Sequence, residues 1–452
     1  MFAQFFQENA RLEWRTQTRT QPIATEPKVM KVARRICGLI SKPGNSPLPW
    51  HLFHALKNVM RSLIQSPLDP VFVQNPYALY ARVMAQDPVQ YWQDYKMMAV
   101  FDAKSVHALL RDRRLGRAVP LEHQNPVPDH LRDFHAVERH SMLDMEPPNH
   151  TRLRGLVLRA FTSRRVKALA PDIDAICDDL LDAFPTEPFD LNLAFCTALP
   201  VRVIARLLGV PEEMSDQLLR WSNAMVAMYQ ASRTHETEIA ANTAAAEFSA
   251  FLSGYIQERR SDPRDDLITH LIAAEADGEK LSREEMIGTC ILLLNAGHEA
   301  TVHTMGNAVK ALLEHQAPLT ALAPKAIAGT VEEVLRYDPP LHMFTRYAYE
   351  DITVGGHELK AGEQVALMLG AAGRDPARFE NPDLFDPFRA PAPHVAFGGG
   401  LHFCVGAPLA RLELQLGLQR LFAHAPDLRL AETPEYSNSY HFHGLARLMV
   451  RQ

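Results

Sequence analysis

The stretch Phe397-Gly398-Gly399-Gly400-Leu401-His402-Phe403-Cys404-Val405-Gly406 decides how the rest of this 452-residue chain is read. Three consecutive glycines permit a backbone reversal that side chains would forbid. Cys404 then stands just ahead of a predicted helix, Pro408–Ala423, with proline near its first turn. Free N–H groups and the dipole at a helix start favour a thiolate over a thiol. Gly406 removes bulk immediately beyond the sulfur, so a wide, flat group can approach it. A thiolate held this way is a metal ligand or a nucleophile. For a lone cysteine the blander reading is an inert buried thiol, and the ten residues of context weigh against it. Cys37, Cys177, Cys196 and Cys290 form no CxxC pair and no zinc-finger spacing, which points to a reducing cytoplasm.

Upstream, Ser282–His315 reads as one long helix opened by the capping box Ser282-Arg283-Glu284-Glu285. Its middle, Leu292-Leu293-Leu294-Asn295-Ala296-Gly297-His298-Glu299-Ala300-Thr301, sets Ala296, Gly297, Ala300 and Thr301 on one narrow face of small side chains. A large planar group can lie close against such a face, as can another helix. An acid at Glu299, inside an apolar helix, must be satisfied by partners or used in chemistry. His298 and His303 are five residues apart, so their rings diverge by roughly 140° and a zinc-protease motif is excluded. Glu333-Val334-Leu335-Arg336 places an acid and a base three residues apart, ahead of the helix-stopping Asp338-Pro339-Pro340. Taken alone, that pair is an ordinary surface ion pair.

Composition narrows the class. The chain is 47% hydrophobic and 22% charged, which excludes disorder and collagen-like structure. Length suggests roughly three domains of about 150 residues. No run of about 18 apolar residues is present, so no transmembrane segment is expected. A net charge of −6 carries no signature of nucleic-acid binding. Residues 1–66 nevertheless hold ten Lys/Arg against three Asp/Glu, a surplus of +7 that leaves −13 on the other 386 residues. They read as a basic N-terminal extension, either disordered or loosely docked, or touching a membrane surface or a partner. From there the pattern is mainly helical: Arg164–Phe184, Leu199–Leu208, Pro211–Tyr229, Glu236–Arg259 and Asp265–Glu275 precede the long helix. Met97–Phe101, Asp351–Val365 and a Gly-turned pair at the carboxyl end supply a minor sheet. The expected fold class is mainly α with a minor β region (α+β).

Together these motifs resemble the cytochrome P450 superfamily, over approximately residues 68–452. The F-G-x-G-x-H-x-C-x-G loop, the Ala296-Gly297-x-Glu299 helix about 105 residues before Cys404 and the ExxR pair between them carry the resemblance. So do Asp144–Arg154 (DMEPPNHTRLR), Gly373-Arg374-Asp375-Pro376 with Phe379, and the closing Phe442-His443-Gly444-Leu445. It implies a single haem-wrapping domain over 67–452, with haem b bound through Cys404 as axial ligand to the iron. It implies that His150, Arg154, Arg346 and His402 pair with the haem propionates, that Ala296, Gly297 and Gly406 flank the ring, and that Phe397 packs near the thiolate. Glu333 and Arg336, with Arg389 as a further candidate, would form a structural network behind the haem. Glu299 matches the acid that relays protons during oxygen activation. The family usually has Thr or Ser next; here it is Ala300, with Thr301 rotated about 100° away. Assistance from Thr301, an ordered water or the substrate is then expected. Gly373 stands where asparagine is more usual, with only a local turn effect expected.

The implied function is a soluble, cytoplasmic, bacterial-type monooxygenase that inserts one atom of O2 into a hydrophobic small molecule. Only 48 residues follow Cys404, so NAD(P)H-derived electrons are expected through separate proteins, a ferredoxin and its reductase. Arg411 and Arg420 are candidate docking points. The alternatives are other haem-thiolate chemistry (peroxygenase, isomerase or dehydratase) and a non-catalytic haem-binding protein. Leu293, Leu294, Leu341, His342, Met343 and Phe344 are substrate-pocket candidates, together with Ala296, Met225 and Met228, and the methionines suggest an adaptable wall.

Overall fold

Ser282 and Glu285 cap the longest helix reciprocally, as their spacing predicts: each side chain accepts the other's backbone N–H, at 3.1 and 2.9 Å. That helix, Arg283–Glu314, is the axis of the computed structural model, which describes residues 62–230, 232–274 and 280–452. Packed around it are Ala198–Leu208, Ser215–Val226, His235–Ser261, Ile327–Tyr337 and the last helix, Ala407–His424. One apolar cluster runs through all of them and buries Leu199, Ile291, Met305, Leu312, Val331 and Leu414. Burying each side chain of this size contributes about 1.5–3 kcal/mol, so the helical layer needs no further fastening.

The sheet stands to one side. Its six strands lie in the order Ser62–Leu63, Val89–Trp92, Met97–Val100, Gln364–Met368, Met343–Ala348 and Leu115–Gly116. Met343 pairs with Met368 and Arg346 with Val365 in the antiparallel register that carries a cavity wall. Ser62–Leu63, inside the segment read as an extension, form the parallel edge strand against Tyr91 and Trp92. Residues 1–61 of that segment, Cys37 among them, lie outside the described residues.

Several element boundaries differ from the sequence reading. Arg164–Phe184 is two helices, Ser163–Ala168 and Ala170–Asp182, broken where Pro171 enters a new first turn. The Gly-turned pair at the carboxyl end is Glu435–Tyr436 with Leu445–Arg447, whereas the last strand, Met449–Arg451, joins Arg429–Leu430 and Phe189–Asp190 instead. Among the described residues, no helix is long and apolar enough to cross a membrane.

Candidate active site

The glycine loop folds as its composition requires. Gly398 and Gly400 adopt φ of 70° and 65°, and a Cβ on Gly400 would sit 2.5 Å from the Leu110 carbonyl oxygen. The backbone N–H of Cys404 donates to Phe397 O at 3.0 Å, closing the turn. Cys404 lines a cavity of about 310 Å³. On the facing wall are Ala296, Gly297, Glu299, Ala300 and Thr301 of the long helix. Sequence positions more than a hundred residues apart thus converge on one space.

Burial pushes the Cys404 thiol up, against the lowering effect of the Gly406 and Ala407 N–H groups and of Arg154 and Arg411. This corrects the expectation that the helix start alone holds a thiolate. Desolvation of the sulfur outweighs the N–H groups of the helix start.

A cationic corner adjoins the sulfur. Arg154 donates to Phe403 O at 2.6 Å, and the His150 and His402 rings are 4.3 Å apart. His402 is held by Glu146 at 3.0 Å. His150 is buried with Nδ1 unpartnered, and its pKa is lowered to about 4 by burial and by the neighbouring His402 and Arg154. Arg117, which no motif singled out, lines the same corner and is paired with Asp144 at 3.0 Å. Arg346 does not reach the cavity surface. Burial lowers its pKa to about 9, and its guanidinium donates to Thr345 O at 2.8 Å behind Phe344. An orphaned imidazole nitrogen and two guanidinium groups beside a cavity-facing sulfur fit a flat iron macrocycle bearing carboxylates.

Phe397 lies on the cavity wall with Arg411 stacked 4.5 Å from its ring centre. Arg411 is bound to Glu332 at 2.5 Å and Arg420 to Asp174 at 2.8 Å, so both predicted docking cations are already engaged. Gly406 keeps the space beyond the sulfur open: a Cβ there would meet only Cys404 Sγ, at 3.8 Å. A Cβ on Gly297 would instead sit 3.3 Å from Ile204 Cδ1, so that glycine serves helix packing as well as the cavity.

Glu299 is the most constrained polar group. Desolvation would raise its pKa, but the His298 and His303 side chains hold it well below the usual carboxylate range. Oε1 lies 3.2 Å from His303 Nε2, and Oε2 lies 3.4 Å from His298 Nε2. His298 Nδ1 must donate to Leu294 O, 2.9 Å away. Its Nε2 is buried without a hydrogen-bond partner, beside Glu299 Oε2. Gly444 makes room for His303, because a Cβ there would collide with the ring. Thr301 Oγ1 donates to Gly297 O at 3.1 Å and Thr304 Oγ1 to Ala300 O at 2.7 Å. The Thr301 hydroxyl proton is thus committed to the backbone and is no substitute for the missing hydroxyl at Ala300.

Behind the cavity, Glu333 accepts both Arg336 Nε (2.6 Å) and Nη2 (2.7 Å) and also Arg389 Nε (3.1 Å). Arg336 also donates to Gly373 O and Pro382 O, each at 2.8 Å. A Cβ on Gly373 would collide with Arg336 O, so this glycine has more than a local turn effect.

Leu293, Leu341, Met343 and Phe344 line the cavity as predicted. Leu294, Met225 and Met228 are buried in the helical core and are not among the residues that line the cavity. His342 is fully buried and points elsewhere. Two acids on the wall were missed. Burial and the nearby Asp144 raise Glu138 to about 7, and Tyr229 donates to it at 2.9 Å. Burial raises Glu413, and its Oε2 has no partner. A lone acid within an apolar helical stripe, as in Leu412-Glu413-Leu414, was the available signal for the second.

The family model "Cytochrome P450" matches residues 90–322 and 327–424. The polyketide biosynthesis cytochrome P450 PksS of Bacillus subtilis is 37% identical over 83% of this chain and 95% of its own length. The vitamin D(3) 25-hydroxylase of Pseudonocardia autotrophica is 39% identical over 84% and 94%. In three dimensions, P450BioI, solved in complex with an acyl carrier protein ligated to hexadec-9Z-enoic acid, superposes with a TM-score of 0.79. It is 36% identical over 84% of this chain and 99% of that one. Likeness of this extent, running through the loop and the helix that build the cavity, makes the chain a member of the cytochrome P450 family, a monooxygenase-type oxidoreductase.

Proposed function

We propose that this chain oxygenates bulky, largely apolar molecules of the lipid, sterol or polyketide type, with haem b on Cys404. One observation carries the reading: the sulfur of Cys404 and the carboxylate of Glu299 open onto the same cavity, whose wall includes the apolar group Ile291, Leu292, Leu293, Leu341, Met343 and Phe344. Apolar walls with few polar groups bind by desolvation and leave the polar groups to orient or react. When bound, the haem supplies oxygen activation, and its thiolate ligand pushes electron density in the direction that favours O–O cleavage. His150, Arg154, Arg117 and His402 would hold its carboxylates. Glu299, fed by His298 and His303, would hold and pass protons on the side facing the substrate.

The substrate class draws support from relatives named for polyketide biosynthesis and vitamin D3 hydroxylation, and from one solved with a C16 acyl carrier protein. Electrons would come from NAD(P)H through a ferredoxin reductase and a ferredoxin in the cytoplasm. The test is turnover of fatty acids, steroids and macrolactones by the haem-loaded chain. A surrogate ferredoxin system with NADPH is compared with hydrogen peroxide alone, after a screen for ligands that shift the Soret band. Product only with the electron-transfer system supports the reading, and equal product with peroxide alone makes the chain a peroxygenase. Cys404→Ser should abolish the thiolate-type Soret of the reduced carbon monoxide complex.

A further inference from the structure

Asp338, His342 and His443 form a cluster that the oxygenation chemistry does not use. Asp338 ends the helix Ile327–Tyr337, His342 precedes the strand Met343–Ala348, and His443 lies in the carboxyl-terminal segment. All three are buried, with exposures of 5%, 0% and 1%. One ligand atom from each lies within 4.8 Å of the others: Asp338 Oδ1 is 3.4 Å from His443 Nε2 and 3.9 Å from His342 Nε2. Four ligands arranged tetrahedrally at about 2.0–2.1 Å from Zn2+ are about 3.4 Å apart. The first distance already matches, and the others need only small side-chain rotations.

The surrounding hydrogen bonds prepare these atoms for a cation. Tyr77 Oη donates to Asp338 Oδ1 at 2.6 Å and Tyr436 Oη to Oδ2 at 2.5 Å, which orients the carboxylate as an acceptor. His342 Nδ1 lies 2.8 Å from Tyr80 Oη, which in turn lies 2.6 Å from Tyr440 Oη. With its proton on Nδ1, His342 presents a lone pair at Nε2, which lies 3.4 Å from Tyr77 Oη and 3.9 Å from Asp338 Oδ1. His443 completes the case. Both of its ring nitrogens lack a hydrogen-bond partner, and Nε2 is aimed at the carboxylate. A neutral imidazole buried in this way leaves a lone pair unsatisfied unless a cation takes it. Of the neighbouring fixed cations, Arg374 is stacked on Tyr77 and held by Asp383 at 2.9 Å, and Lys310 lies 5.3 Å over the Tyr436 ring and is bound to Glu314 at 2.7 Å.

We propose that Asp338, His342 and His443 bind a divalent transition-metal ion of the Zn2+ class, as a structural site separate from the haem. Its ligands alternate with the substrate wall: Pro340, Leu341, Met343, His441 and Phe442 line the cavity, and Leu341 bridges Phe442. A metal there ties the end of one helix, the start of a strand and the carboxyl-terminal segment into one wall. It acts on substrate fit by positioning that wall.

The experiment uses the haem-loaded full chain, stripped with EDTA and titrated with ZnCl2 by calorimetry. It is then desalted, and its zinc is counted against haem iron by mass spectrometry. One Zn2+ per haem is expected. Affinity should fall at least about a hundredfold in Asp338→Asn and His443→Asn at unchanged haem content, and about tenfold in Tyr77→Phe, which loosens the carboxylate. X-ray absorption at the zinc edge should report two imidazoles and oxygen at about 2.0–2.1 Å. If Asp338→Asn does not fold, His342→Gln and His443→Asn carry the test. The proposal is overturned if the wild-type holoenzyme takes up no zinc at micromolar concentration, or if the variants take up as much as wild type. It is also overturned if the zinc is lost instead in His130→Ala, a residue of the other histidine–carboxylate cluster among the described residues.

Discussion

The carboxylate of Glu299 and the imidazole of His303 meet at 3.2 Å, one helical turn apart, on the wall facing Cys404. Glu299 is on the cavity wall, and His303 stands behind it as the group that can hand it a proton. His303 keeps its place because Gly444, in the carboxyl-terminal segment, has no Cβ. Glu299→Gln should lower product formation by about a hundredfold, in line with the loss of one proton-transfer group. His303→Phe and Gly444→Ala should each lower it by about tenfold and enlarge the solvent deuterium isotope effect. Steady-state turnover in H2O and D2O, with haem content as control, checks all three.

Ala300 leaves no hydroxyl beside Glu299, and the Thr301 proton is spent on Gly297 O. Positioning of water near the acid therefore falls to the substrate. Ala300→Thr should sharply reduce hydrogen peroxide formed per NAD(P)H consumed with loosely fitting substrates, and change little with well-fitting ones. An unchanged ratio with both would sink the idea.

Glu138 is held protonated by burial, with a folded pKa of about 7 against an ordinary 4.5. An acid whose pKa is raised on folding contributes stability that is complete below the unfolded value and lost as pH rises through the folded one. Between pH 4.5 and 7 the wild type should thus lose thermal stability relative to Glu138→Gln, with no further relative change above about pH 8. Melting temperatures of the two holoenzymes across that range test the sign.

Glu333 holds Arg336 and Arg389 in a site that is 3% exposed. Removing one partner of a buried pair strands the other's charge and typically costs about 3–5 kcal/mol. Glu333→Gln should destabilise the holoenzyme by that amount in denaturant titrations and release haem at lower denaturant than wild type.

Much of the site was legible in advance because it is built from local motifs. The loop from Phe397 to Gly406, the capping box at Ser282 and the Glu333–Arg336 pair each need only a few neighbouring residues to declare their geometry. Arg117 was missed because its role depends on Asp144, Glu146 and a cavity wall, none of which its own neighbours encode. His342 was taken for a pocket residue because strand alternation does not say which face meets the cavity. Leu294 and the two methionines were misplaced because apolar side chains look the same in a core and in a pocket wall.

By itself the sequence determined the mainly helical class, the glycine loop that carries Cys404 and the capped helix that carries Glu299, since backbone reversal, capping and helical spacing are local properties of a chain. Only the tertiary structure decided what those groups experience. Burial raises Cys404, and two histidines lower Glu299. Backbone carbonyls take the hydroxyl protons of Thr301 and Thr304, and two distant segments bring ligand atoms of Asp338, His342 and His443 within 4.8 Å of one another. Desolvation and long-range contact are set by packing, and packing is absent from any single stretch of residues.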